Sequence, residues 1–339
     1  MSSALSTIGL KHGAGGPAMR QLIQSVFVNG LAGKVDGVGL AAMDDGAALR
    51  VGDQWLILTT DSHVVKPRFF NGGDIGRLAI CGTVNDLAMM GATEPLGLTC
   101  AVVLEEGFQL EELGRIRDSM KIACAEAGAV VVTGDTKVMG KGEVDGCILN
   151  TAGVALTDVV IRDCDLRPGD RIIVTGTIAD HGITILAARH QLELDGDLRS
   201  DVAPINSLIR FALRAGGVVA LKDPTRGGIS SALHELAAKS GVGIVLEELR
   251  VPMRKEVRAT AELLGIDPLQ VANEGKALIG VRPESADRVL AALREHPLGR
   301  EAAIVGTCIE DWKGKVILDT GFGKRLLAEI EGDPMPRIC

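Results

Sequence analysis

Gln54-Trp55-Leu56-Ile57-Leu58-Thr59-Thr60-Asp61-Ser62 is the stretch on which the fold turns. Its apolar part over 54–60 reads as a strand, and the strand ends in a polar Thr-Thr-Asp-Ser. The spacing then predicts a helix over 73–90, opening after Asn71-Gly72 and stopped by Gly91, and a second strand over 96–104. Leu110, Leu113, Ile116, Met120 and Ala123 fall at helical spacing, with Gly128 as the stop. A buried strand over 129–133 should deliver Gly134-Asp135 to a loop, and 147–156 reads as another strand. Asp165-Leu166-Arg167-Pro168-Gly169-Asp170 breaks the pattern with turn residues. Beyond it the alternation resumes, with strands over 171–175, 218–221, 243–246, 277–281, 303–308 and 315–318. Helices are expected from Ile229, with Leu233, Leu236 and Ala237 on one face, and over 285–295. The class is therefore α/β (α+β) with two domains of similar size, 1–160 and 165–330, and a tail over 331–339.

Composition narrows the function. The chain has 339 residues, 46% hydrophobic and 24% charged, as soluble globular proteins do. No apolar run is long enough for a membrane span, and no basic patch followed by an apolar stretch marks a signal peptide, so a cytoplasmic enzyme is expected. With 36 Lys and Arg against 44 Asp and Glu, a net charge of −8 and 2% aromatic residues, the chain lacks the basic, ring-bearing footprint of a nucleic-acid binder. The seven cysteines include no Cys-x-x-Cys pair, which supports neither a disulfide framework nor a zinc cluster. Six of them read as small core residues.

Cys339, the last residue, is the exception. Asp333-Pro334-Met335-Pro336-Arg337-Ile338-Cys339 carries two prolines and no periodicity, which predicts an extended, mobile arm. About eight stretched residues reach roughly 26–29 Å, enough to carry a thiol into a cleft. The other reading is a frayed terminus that happens to end in Cys.

Isolated carboxylates recur where strands and helices end: Asp44-Asp45 before Gly46, then Asp61, Asp86 after Asn85, and Asp135 within Thr133-Gly134-Asp135-Thr136-Lys137. Loop carboxylates from separate elements suit Mg²⁺ bridging to phosphates, although any single Asp-Gly can be turn chemistry alone. Three glycine-rich segments accompany them. Lys11-His12-Gly13-Ala14-Gly15-Gly16 could fold over a ligand as a flap, Gly134 follows a strand, and Gly227-Gly228 opens a helix behind Asp223-Pro224-Thr225-Arg226, a natural anion site. None is a P-loop, and no Gly-x-Gly-x-x-Gly occurs.

The ordered set Asp-Asp-Gly-Ala (44–47), Thr-Thr-Asp-Ser (59–62), Asn-Asp-Leu-Ala-Met-Met-Gly-Ala (85–92), Thr-Gly-Asp-Thr-Lys-Val (133–138) and Asp-Pro-Thr-Arg-Gly-Gly (223–228) resembles the aminoimidazole-ribonucleotide synthetase superfamily. Within it, His-Gly-Ala-Gly-Gly (12–16), Asn-Glu-Gly-Lys (273–276) and the closing Pro-Arg-Ile-Cys (336–339) resemble the HypE family of hydrogenase maturation proteins. The resemblance spans essentially the whole chain, with no departure at these motifs. It implies a two-domain fold whose N-terminal domains pair through a shared β-barrel in a homodimer. It also implies an ATP-dependent carbamoyl dehydratase. A HypF-type carbamoyltransferase loads the terminal thiol, the S-carboxamide becomes an S-thiocyanate with release of ADP and phosphate, and the cyano group passes to iron on a HypC–HypD-type scaffold for [NiFe] hydrogenase.

On that reading Asp44, Asp61, Asp86, Asp135 and Asp223 hold Mg²⁺. Asp45, Asn85, Gly134 and Thr136 add contacts to ATP, and Lys137 and Arg226 stabilise charge on the transferred phosphoryl group. Lys137 could equally be a lysine on a solvated loop. Removing nitrogen protons needs a base. Glu274 is the first choice, against a plain turn carboxylate, and His12 is the second, with a nucleotide cap as its other role. The five other histidines read as surface or packing residues. A sibling acting on a free small molecule, such as selenophosphate synthetase or thiamine-monophosphate kinase, has no use for Cys339, and the first cysteine here is Cys81, far from the N-terminal glycines. A non-catalytic thiol carrier is the reading from another class.

Overall fold

The computed structural model describes residues 7–192, 196–330, 332 and 337–339. In the first half the strands are β1 (Gly37–Val38), β2 (Ala47–Val51), β3 (Gln54–His63), the small pair β4 (Phe69–Phe70) and β5 (Gly73–Asp74), β6 (Pro95–Glu105), β7 (Val131–Met139) and β8 (Cys147–Thr157). Six of them form one sheet in the order β1-β2-β3-β8-β6-β7, antiparallel throughout except for the parallel pair β6–β7. In the second half β9 (Arg171–Val174), β10 (Val218–Lys222), β11 (Gly243–Glu247), β12 (Leu278–Val281), β13 (Ala303–Ile309), β14 (Val316–Asp319) and β15 (Lys324–Leu326) form a sheet in the order β10-β12-β9-β13-β11-β14-β15.

A short helix α1 (Pro17–Leu22) runs through a π-helical turn into α2 (Asn29–Leu31). Helix α3 (Ile75–Met89) is the axle of the molecule. It begins where Asp74 caps it, accepting hydrogen bonds from the Gly76 and Arg77 amides at 2.7 and 3.0 Å. It is buried on nearly every side, as a helix enclosed by packing is, with Arg77 and Asp86 the positions left partly open. One side packs on β3, β8 and α4 (Leu110–Ala127), while Ala88 and Met89 join Ile173, Ile205 and Leu208 of the second half. Burying each large aliphatic side chain there stabilises the fold by roughly 1.5–3 kcal/mol. The result fixes the C-terminal turn of α3, with Asp86, between the two halves.

The second half adds α5 (Asp180–Arg189), α6 (Asn206–Ala215), α7 (Gly228–Ser240), α8 (Lys255–Leu264) and α9 (Ala286–Glu295). Leu233, Leu236 and Ala237 are buried on α7, as their spacing predicts. Two expectations change. The strand read as buried over 129–133 is instead β7, running to Met139 and exposed along its whole length in the single chain. It is the edge strand of its sheet, and its valines are exposed to solvent in the single chain. Gly134 and Asp135 lie within this strand, not on a loop. Among the cysteines, Cys81, Cys100, Cys147 and Cys308 are core residues, but Cys124 and Cys164 are only half-buried. Among the described residues no helix is long and apolar enough to cross a membrane.

Candidate active site

The two halves enclose a cavity of about 400 Å³ that collects Asp44, Asp45, Asp61, Asp86, Asp223 and Glu274, together with Arg226 and the terminal Cys339. Each acid arrives from the end of a different element: Asp44 and Asp45 precede β2, Asp61 lies late in β3, Asp86 in the last turn of α3 and Asp223 directly after β10. Thr59, two residues before Asp61, stands 2.9 Å from both the Asp86 Oδ2 and the Asp45 carbonyl and so ties three of these segments together.

So many acids in one enclosed space disfavour their own ionisation. Burial, then the neighbouring Asp163 and Asp45, push Asp44 up to about 7. Burial and Asp45 push Asp223 up to about 8. Asp86 and Glu274 rise well above the ordinary carboxyl range, first through burial, then through Asp223 and Asp61 for Asp86 and through Asp61 and Asp223 for Glu274. Oδ2 of Asp45 and Oε1 of Glu274 are buried with no hydrogen-bond partner. Such a donor set fits a hard cation, and Asp45 and Glu274 each have an oxygen to spare. Among the described residues no three such side chains converge on one point, so a bound Mg²⁺ would need phosphate oxygens to complete its shell.

Lys222, the last residue of β10, was not singled out in the sequence. It is paired with Asp45, with Glu235 at 3.4 Å and with Asp163 at 3.9 Å. Burial alone would lower its pKa, but the surrounding carboxylates, Asp45 above all, outweigh that and hold the ammonium charged. Lys239 adds a contact of 2.5 Å to Asp163. The signal for Lys222 was present, since a lysine ending a buried strand beside an Asp demands a partner.

Glu274 is held from both sides. Its amide donates to Asp201 at 3.1 Å and its carbonyl accepts from the Asn85 side chain at 3.2 Å. Asn85 also bonds Ala203 and Ile205, so it positions the loop that carries Glu274 and does not line the cavity. Gly275 is obligatory here: a Cβ would lie 1.9 Å from the Asp201 carbonyl oxygen. Asn273, fully buried, accepts from the Ala179 amide and donates to the Pro224 carbonyl, tying this loop to the one that carries Asp223 and Arg226.

His12 lies elsewhere. It is buried, with Nδ1 bonded to Gly9 and Nε2 unpartnered, and it lines a second cavity of about 560 Å³. Cys339 and Arg226 line both cavities, so the sulfur stands at the neck between them. Gly15 lines the first cavity and packs against the Arg226 backbone. Its φ of +80° suits glycine, and a Cβ would fall 2.4 Å from the Arg226 carbonyl oxygen. Gly134, Asp135, Thr136 and Lys137 are not brought to the acid cavity in the single chain. They sit on β7, where Lys137 faces Asp135 at 3.8 Å. Two of the histidines read as surface or packing residues are packed beside the site. His63, fully buried, lies 3.5 Å from Asp61, and His181 touches the tail.

Family models for the N-terminal and C-terminal domains of AIR synthase related proteins match residues 43–157 and 167–319. A carbamoyl dehydratase HypE from Escherichia coli (strain K12) is 45% identical, over 99% of this chain and the whole of that protein. This chain belongs to the HypE family. A solved HypE–HypF complex is 40% identical, with a TM-score of 0.85 over 91% of this chain and 99% of the compared chain. A solved HypE in complex with ATP, also 40% identical, has a TM-score of 0.81 over 98% of this chain and all of the compared one. Membership of the HypE family agrees with the chain's two-layered halves and with a cleft of carboxylates large enough for a nucleotide.

Proposed function

We propose that this chain uses ATP to dehydrate an S-carboxamide carried on its own Cys339, giving an S-thiocyanate, ADP and phosphate. The single observation that supports this most is the seat of Cys339, whose side chain lines the same cavity as Asp61, Asp86, Asp223 and Glu274. A carrier whose thiol served partners alone would have no reason to keep that sulfur among buried carboxyls.

The amide oxygen is a poor leaving group until it is phosphorylated. Transfer of the γ-phosphoryl group to it forms an O–P bond and breaks the bond to ADP, a step governed by positioning and charge. Asp44, Asp61, Asp86 and Asp223 would hold Mg²⁺, which when bound neutralises the phosphate oxygens. Arg226, beside the sulfur, stabilises charge on the transferred group. Phosphorylation acidifies the nitrogen: one proton passes to a phosphate oxygen, and Glu274 accepts the second as the C–O bond to phosphate breaks and the C≡N bond forms. Its raised pKa makes it a strong base once ionised. The cavity excludes water that would hydrolyse the phosphorylated intermediate.

Residues 331–339 act as an arm on the two domains 1–160 and 165–330, exposed for loading by a HypF-type carbamoyltransferase and for delivery to a HypC–HypD-type iron scaffold in the cytoplasm. Two copies pair through their first sheets. Exposed Val131, Val132, Val138 and Met139 on β7 offer the apolar edge for it, and pairing would carry Asp135 and Lys137 of one copy to the cleft of the other.

Mass spectrometry of the C-terminal peptide after exposure to a carbamoyl-donor system tests the reading. Loss of one water from the modified peptide should occur only with ATP and should vanish in Cys339→Ala, while nucleotide binding persists. A carboxamide that survives ATP unchanged returns the carrier reading.

A further inference from the structure

The last three residues are gripped through their main chain. The Val64 amide donates to the Cys339 carbonyl at 3.2 Å and the Lys66 amide to the Arg337 carbonyl at 3.1 Å. These two bonds, running in opposite chain directions, extend β3 by a short antiparallel ladder. The Ile338 carbonyl, which faces away from that ladder, accepts from His181 Nε2 at 2.8 Å. Arg189 adds a second donor to the Arg337 carbonyl. The Ile338 side chain is buried, and Arg337 pairs with Asp145. Each of the three carbonyls therefore has a donor, and only the one from His181 comes from a fully buried ring.

The tautomer of that ring follows from its partners. A carbonyl can only accept, so Nε2 carries the hydrogen. Nδ1, 2.8 Å from Ser200 Oγ, is then bare and accepts the Ser200 hydroxyl hydrogen. Ser200 Oγ in turn accepts from the Val202 amide at 3.1 Å, which leaves its hydrogen free for the ring. Burial keeps His181 neutral. Phe70 holds the imidazole edge-on, with ring centroids 5.4 Å apart.

We infer that His181 is a positioning residue: oriented by Ser200, it holds the Ile338 carbonyl and so sets the Cys339 sulfur at the neck between the two cavities. Its recognition is of main chain, so it retains the arm whatever group the sulfur carries. The inference rests on the proposed reaction only for its purpose; the grip itself is measured without the reaction.

The test is the rate at which iodoacetamide alkylates Cys339 in the full chain, read on the C-terminal peptide, with buried Cys81 in the same sample as the control for folding. His181→Phe keeps the ring against Phe70 but removes the donor. Alkylation of Cys339 should quicken about tenfold, the equivalent of ~1.4 kcal/mol of lost retention, with Cys81 unchanged. His181→Gln restores an N–H at similar reach and should return the rate to within about twofold of the parent. Equal rates for the parent and the Phe variant overturn the inference, as does a Gln variant as fast as Phe, which would assign the effect to ring packing. Should His181→Phe expose Cys81 as well, Ser200→Ala decides: freeing the tautomer should quicken Cys339 alone, and a parental rate there refutes the grip. Dehydration is measured on the same samples. An ATP-dependent loss of water missing even from the parent would refute the proposed reaction and leave the grip standing.

Discussion

Asp44 and Asp223, pushed up to about 7 and about 8, sit in a cleft where burial and neighbouring carboxylates outweigh the charge of Lys222 and Lys239. Each holds its proton more tightly in the folded protein than in the unfolded chain, where the value is 3.8. Their contribution to stability is therefore whole below that value and is lost as pH rises through about 7 and 8. Melting temperature of the ligand-free protein should fall from about pH 4 to about pH 8 and level off above that, and Mg²⁺ with a non-hydrolysable ATP analogue should restore it. Affinity for that pair should rise over the same interval as the acids ionise. A ligand-free melting temperature that stays flat there would place the repulsion elsewhere. Glu274 gives the kinetic counterpart. Glu274→Gln keeps the shape but cannot take a proton, so single-turnover dehydration should slow by about 10²–10⁴-fold with nucleotide affinity held within a few-fold. A variant that turns over at the parental rate moves the base to another residue.

At the scale of elements, α3 was legible from its long apolar body and Gly91 as the stop, but its start was read at 73, whereas Gly73–Asp74 is β5 and Asp74 caps a helix that begins at Ile75. Asp74→Ala removes two hydrogen bonds to helix amides and should cost about 1 kcal/mol, seen as a lower melting temperature with nucleotide affinity unchanged. If affinity fell too, the cap would be serving the cleft as well as the helix. Most strands of both sheets were legible for the same reason, since alternation or short apolar runs between turns name a strand whatever its neighbours are, but β1, β2 and β15 were not read from the sequence. β7 shows the limit. Val130-Val131-Val132 reads the same in a buried strand as on an exposed edge, and only sheet order distinguishes them. Helix α5 escaped because Asp180-His181-Gly182 begins a helix buried nearly all round, with no polar face to mark its period. The acids of the site were legible as strand and helix ends. His63 could have been found, because residues two apart on a strand share a face and it follows Asp61 by two. His181 could not, since its partner lies 157 residues further along the chain.

At the scale of the whole molecule, the halves are joined at the cleft itself. Lys222 and Lys239 of the second half meet Asp45 and Asp163, Asn85 of α3 holds the Glu274 loop, and the tail crosses back onto the end of β3. Docking there has a sign with respect to pH. Burial outweighs Arg226 and pushes the Cys339 thiol well above its ordinary value of 9.0. The seated tail is thus the protonated one, and loading chemistry that needs a thiolate belongs to the arm when it is out. In one chain Lys137, proposed above to reach the cleft of the partner copy, lies away from the acid cavity on the exposed edge β7. If pairing delivers it across the dimer, two dead variants should complement. Lys137→Ala alone should slow dehydration by about 10²–10³-fold through lost charge stabilisation, and Glu274→Gln alone removes the base. Dissociated and reassociated in equal amounts, half the dimers are mixed, and each mixed dimer holds one cleft with an intact Glu274 and its partner's intact Lys137. Activity should therefore recover to about a quarter of the parental level per chain. If Lys137 serves its own chain instead, every cleft in the mixture carries one lesion and no activity returns. Single-turnover assays on the mixture, against each variant treated alone, separate the two arrangements.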